Sequence, residues 1–106
     1  MTGALVALST VGSSEDAERI ARALVEKGVA ACVNVVPGVV SFYRWKGKLE
    51  RDAELLLVIK TTPERFEDVK AALLAEHPYE LPELVALPIT AAHQPYLDWL
   101  AASVNS

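Results

Sequence analysis

The chain reads as an α+β sandwich of four strands and two covering helices, with a third helix near its C-terminal end. Three observations predict it. Residues 29–45 are rich in β-branched and aromatic residues, Lys46-Gly47-Lys48 is a short polar break, and residues 55–59 are apolar again, which makes residues 28–61 one long β-hairpin. On each side of that hairpin an apolar run and a helical repeat stand in mirrored order, so two strand–helix–strand halves share it. At 106 residues and 52% hydrophobic, the chain has the length for a single domain, residues 1–106, and apolar material for one core.

Ala4-Leu5-Val6-Ala7-Leu8 is a buried first strand, and the turn-type cluster from Thr10 to Ser14 ends it. Ser13 or Ser14 caps the first helix, and Glu15 and Asp16 follow at the positive end of its dipole. Ala17, Ile20, Ala21, Leu24 and Val25 repeat at helical spacing, and Gly28 stops the helix. In the second strand Ala31, Val33 and Val35 alternate with Cys32, Asn34 and Val36, and both sets are largely apolar. Pro37-Gly38 predicts a bulge, beyond which an arm carries Phe42, Tyr43 and Trp45.

After the third strand, Thr62-Pro63-Glu64 opens a second helix with threonine as cap and proline in the first turn. Phe66, Val69, Leu73 and Leu74 form its inward side, and it ends near His77 because Pro78 disfavours helix in the residue before it. Residues 77–82 are a stiff connector, residues 84–87 a fourth strand, and a short helix begins at about His93 with Tyr96, Leu97, Trp99 and Leu100 on its apolar side. The order β-α-β-β-α-β is that of the ferredoxin-like split fold, in which both helices cover one sheet face. The other face is too apolar to remain wet, so the sequence predicts burial of that face and of the arm against further copies of the chain, with a charge at Val35 expected to disrupt it.

Composition narrows the function classes. The formal net charge is −4, and Lys and Arg are scattered apart from Lys46 and Lys48, so there is no basic stripe for nucleic acid. Cys32 is the single cysteine, which fits a reducing compartment. The apolar run at residues 4–8 is too short for a membrane span, and no Lys or Arg precedes it as in a signal peptide; the reading is cytoplasmic. There is no Gly-rich phosphate loop, no His-Glu-x-x-His helix and no Gly-x-Ser-x-Gly elbow, so the chain is not expected to be an enzyme.

Five blocks carry a resemblance: Ala30-Ala31-Cys32-Val33-Asn34 with Pro37-Gly38; Ser41-Phe42-Tyr43-Arg44-Trp45 with Gly47; Glu54 before the run ending in Lys60-Thr61; His77-Pro78-Tyr79 with Pro82-Glu83; and Tyr96-Leu97-Asp98-Trp99-Leu100. In that order they closely resemble the CutA family named for divalent-cation tolerance. The resemblance implies a ferredoxin-like protomer, a tight homotrimer similar in plan to the PII signalling proteins, and copper or another divalent cation as ligand. Copper-binding members are similar in placing a cysteine in the first strand and paired histidines before Pro-Tyr; this chain has Ser9 and Glu76-His77 there.

The candidate sites follow. Cys32 offers a soft thiolate for Cu(I), and His77, with Glu76, Tyr79 and Glu83 as oxygen donors, offers a set acceptable to Cu(II) or Zn(II). His77 also has a plain structural role at a helix end, Cys32 one as a small buried residue, and His93 is expected to be solvated. A second group, Trp45, Glu54 and Lys60, reads either as interface ion pairs with an aromatic anchor or, with Cys32, Tyr79 and Glu83, as a cleft between subunits that binds a small anion, a metabolite or a partner chain. Glu80 and Glu83 read as connector caps.

Overall fold

The computed structural model describes residues 2–104. Its elements are β1 (Leu5–Val11), α1 (Ser14–Glu26), β2 (Cys32–Trp45), β3 (Lys48–Thr61), a 3-10 turn (Pro63–Arg65), α2 (Phe66–Glu76), β4 (Val85–Pro88) and α3 (Gln94–Val104). The strands form one antiparallel sheet in the order β2-β3-β1-β4, the ferredoxin-like arrangement with a C-terminal helix added.

Local chemistry explains most boundaries. Ser13 caps α1, accepting from the Asp16 amide at 3.1 Å, and Gly28 leaves the helix at φ +71°. Lys46 and Gly47 both have positive φ, the two-residue hairpin turn that sets Trp45 opposite Lys48. At Pro37-Gly38 the register shifts between Val36 and Val39, so the expected bulge is present.

Several expectations change, and Leu74, read on the inward side of α2, is 49% exposed. β3 begins at Lys48, well before the apolar run, because the polar stretch to Glu54 is held by ladder bonds to the β2 arm. Thr62 has the extended backbone of a cap, yet its hydroxyl makes no capping bond and is buried without a partner; Pro63 starts a 3-10 turn instead.

Ala7, Val11, Ile20, Leu24, Leu57, Ile59, Val69 and Leu73 form the main core between the sheet and α1/α2, and a smaller cluster under α3 gathers Ala4, Ala31, Leu97, Leu100 and Val104. Leu57 and Ile59 belong to the main core, so strand alternation puts Leu56 and Val58 on the opposite, open face. There Leu8 and Val58 are only half-buried, and Val85 and Leu87 are exposed. The arm is more exposed still, with Phe42 at 64% and Leu49 at 76%. Val35 lies opposite Leu57, so it edges the helical layer and not the open face.

Candidate functional site

Pro78 forces His77 out of the helical region, to φ −79° and ψ 130°, while the His77 amide still closes α2 on Leu73 at 2.9 Å. The ring, only 8% exposed, turns beneath β1. Nδ1 accepts the Tyr79 amide at 3.2 Å, so Nε2 carries the proton and donates to the Thr10 carbonyl at 2.8 Å. Tyr79 then packs edge-on against the imidazole, with centroids 4.6 Å apart. Its hydroxyl donates to Glu54 Oε2 at 2.6 Å. Gly12 makes room for this phenol, since a Cβ there would stand 3.1 Å from the Tyr79 oxygen.

Two further contacts secure the connector: Ser9 Oγ donates to the Glu83 carbonyl at 2.7 Å, and Lys46 Nζ lies 3.9 Å from a Glu80 oxygen. Between connector and arm lies a groove of about 830 Å³. Its lining brings together Tyr43, Trp45, Asp52, Glu54, Tyr79, Glu80 and Glu83, with no Lys, Arg or His among the described residues. Tyr43 donates its hydroxyl to Asp52. Each phenol is thereby spent on a carboxylate, and each carboxylate opposes phenol ionisation. The bond to Asp52 pushes Tyr43 up to about 12; burial first, then the bond to Glu54, pushes Tyr79 up as well. Tyr96 is also raised, by burial and by its contact with Cys32.

An alkaline absorbance titration at the phenolate band should therefore stay flat through the ordinary tyrosine value of about 10. The folded chain holds these protons more tightly than the unfolded chain, so their contribution to stability is intact below that pH. It is lost as pH rises toward the folded value of Tyr43, about 12. Asp52→Asn should bring the Tyr43 step down; an unchanged titration in that variant would contradict the bond.

Of the residues singled out in the sequence, Trp45, Glu54, Tyr79 and Glu83 meet in this groove. Lys60 does not. It pairs with Cys32 across β2 and β3 and donates to Asn34 Oδ1, so the groove is acidic and unsuited to a small anion. Cys32 Sγ lies 3.9 Å from the same Asn34 oxygen. Glu76 accepts from Arg19 Nε at 3.1 Å, and His77 has both ring nitrogens committed. Among the described residues no group of three or more His, Cys, Asp or Glu is gathered to hold a metal, so His77, Glu76 and Cys32 do not form one cluster. Sequence reasoning missed Asp52. The signal was present, because a two-residue turn at Lys46-Gly47 sets Ser41 opposite Asp52, diagonal to Tyr43.

The family model of the CutA1 divalent ion tolerance protein matches residues 5–103. The chain belongs to that family. The divalent-cation tolerance protein CutA of Thermus thermophilus is 55% identical over 95 residues, covering 90% of this chain and 92% of that protein. Human Protein CutA is 44% identical over 100 residues, 94% of this chain and 56% of its own length. The chain thus spans little more than half of that relative, and the chloroplastic CutA of Arabidopsis thaliana is covered to the same 56%. Among solved structures, the Thermus thermophilus divalent cation tolerance protein superposes with a TM-score of 0.94 at 51% identity, over 96% of this chain and 99% of that one. A Nostoc PII-like protein CutA in apo form superposes with a TM-score of 0.87 at 38% identity, over 95% and 97%. A relative from Archaeoglobus fulgidus is described as periplasmic. In this chain, among the described residues, no helix is long and apolar enough to cross a membrane.

The groove's donors are carboxylate oxygens, which suit hard and borderline divalent ions. Cys32 is the one soft donor among the described residues, and it stands outside the groove.

Proposed function

We propose that the chain is a single-domain, non-enzymatic, homotrimeric protein of divalent-cation tolerance, acting in the cytoplasm, with copper among the ions it binds. The observation that carries the cation reading is the groove itself: Asp52, Glu54, Glu80 and Glu83 line it without a basic residue. Oxygen donors in that number attract divalent ions, and a neighbouring copy supplies the remaining ligands, since one chain gathers none of the required clusters among its described residues. Cys32 is assigned the Cu(I) role on the chemistry of its sulfur. His77 and Glu76 belong to this ligand set only if their present bonds to Thr10, Tyr79 and Arg19 give way. The trimer is supported by the half-buried aliphatics of the open face and by the exposed arm.

The test is titration of the assembled protein with Cu(II), and with Cu(I) under reducing conditions, against a competing chelator. Saturable binding at whole-number stoichiometry is expected, with Cu(II) weakened about tenfold in an Asp52→Asn, Glu83→Gln double variant, as loss of charged ligands implies. Cu(I) binding should weaken in Cys32→Ser. Binding that never saturates, or that ignores all of these changes, would overturn the assignment.

A second reading is favoured by the likeness to the PII-like Nostoc protein and by a groove large enough for a small molecule. On that reading the groove, completed by the neighbouring subunit, takes a metabolite or a segment of a partner chain. A screen of metabolites by thermal shift on the assembled protein reads it directly, through stabilisation by mass action.

A further inference from the structure

Glu54 is only 7% exposed, yet it lines the groove. Oε2 takes the Tyr79 hydroxyl, and Oε1 has no hydrogen bond among the described residues. Neither Glu54 nor Asp52 has a Lys, Arg or His within ion-pair distance there: each has a phenol as its side-chain donor and lacks a countercharge. The free oxygen of Glu54 is not sealed in the core but opens to the groove, so a carboxylate without a countercharge there favours a cation.

The walls say which kind. Tyr43, Trp45 and Tyr79 all line the groove, and the hydroxyls of the two tyrosines are spent on carboxylates, which leaves their rings as what they offer a ligand. Ring faces attract weakly hydrated organic cations, to which the carboxylates of the same groove add countercharge. The chain also displays the arrangement once with its own side chain. At the groove mouth the Lys46 ammonium sits 5.7 Å from the centre of the Trp45 ring and 3.9 Å from a Glu80 oxygen, an alkylammonium between an aromatic face and a carboxylate.

We infer that the groove binds a small organic cation bearing an alkylated ammonium group, seated between the Glu54 carboxylate and the faces of Tyr43, Trp45 and Tyr79. This deepens the small-molecule reading above and rests on it. Alkylation strips hydration from the ammonium and lets three rings compete with water for it. The lining carboxylates reject phosphate or carboxylate ligands by like charge.

The experiment is isothermal titration of the assembled protein with choline as probe, beside its neutral isostere 3,3-dimethylbutan-1-ol. Choline should saturate at a whole-number stoichiometry per chain or per trimer, and the isostere should not. Glu54→Gln and, separately, Trp45→Leu should each weaken choline by about tenfold while the oligomeric state stays that of the parent. Trp45 is partly buried but holds no position in the core clusters, so that variant remains informative if Glu54→Gln fails to fold. Equal binding of the isostere, or choline binding that ignores Trp45→Leu, overturns the inference. So does an absence of choline binding. If choline fails while the metabolite screen finds an anionic or neutral ligand, the organic-cation inference falls and the small-molecule reading stands. If both fail and the metal titration saturates, only the divalent-cation reading remains.

Discussion

Val58→Asp should abolish the proposed trimer, yielding an unfolded or monomeric chain. Val58 lies in the middle of β3, opposite Leu8 on one side and Asn34 on the other, on the face that α1 and α2 do not cover. In an isolated chain this position is half-buried, and a carboxylate there would keep much of its hydration. In the proposed trimer the same face is sealed against its copies. The variant then forfeits about 2 kcal/mol of aliphatic burial in each subunit and adds the larger cost of an unpaired buried charge. Sedimentation velocity and circular dichroism at matched concentration read both outcomes. A well-folded trimer carrying Asp at this position would refute burial of the open face. Val35→Asp is the weaker test, because Val35 faces the helical layer at the sheet edge.

His77→Ala should cost about 2–4 kcal/mol of stability, the sum of a buried cavity and two stranded backbone groups. The Thr10 carbonyl and the Tyr79 amide both lose their partner, and the Tyr79 ring loses the surface it leans on. With Tyr79 loosened, its bond to Glu54 should weaken and its raised phenol titration should fall toward the ordinary value. Chemical denaturation and the alkaline absorbance titration measure the two effects. Cu(II) affinity should remain within about twofold of the parent, because the committed ring nitrogens offer no lone pair to a metal. A large loss of Cu(II) affinity with unchanged stability would instead make His77 a ligand.

The two variants separate what holds the chains together from what shapes the groove. Val58 tests a face that is apolar by strand alternation. His77 tests a single imidazole that fixes Tyr79, and through it the buried carboxylate of Glu54.

Local rules were enough for the elements. Ser13 and Gly28 bound α1, the Lys46-Gly47 turn sets the hairpin register, Pro37-Gly38 marks the bulge and Pro78 ends α2, because each acts through backbone geometry within a few residues. The strand–helix order and the apolar open face were legible from periodicity and alternation along the chain. The tertiary structure decided the rest. Glu54 and Lys60 share strand parity but stand six residues apart, about 20 Å of strand, too far to touch; that one enters the groove and the other pairs with Asn34 was decided by the assembled sheet. Asp52 enters because the arm folds back on itself, and His77 became a bracket because the strand above it presents a carbonyl at hydrogen-bond distance. Spacing along a chain specifies which way a side chain points; which groups it meets there depends on strands and loops distant in sequence, and that is settled only when the sheet assembles.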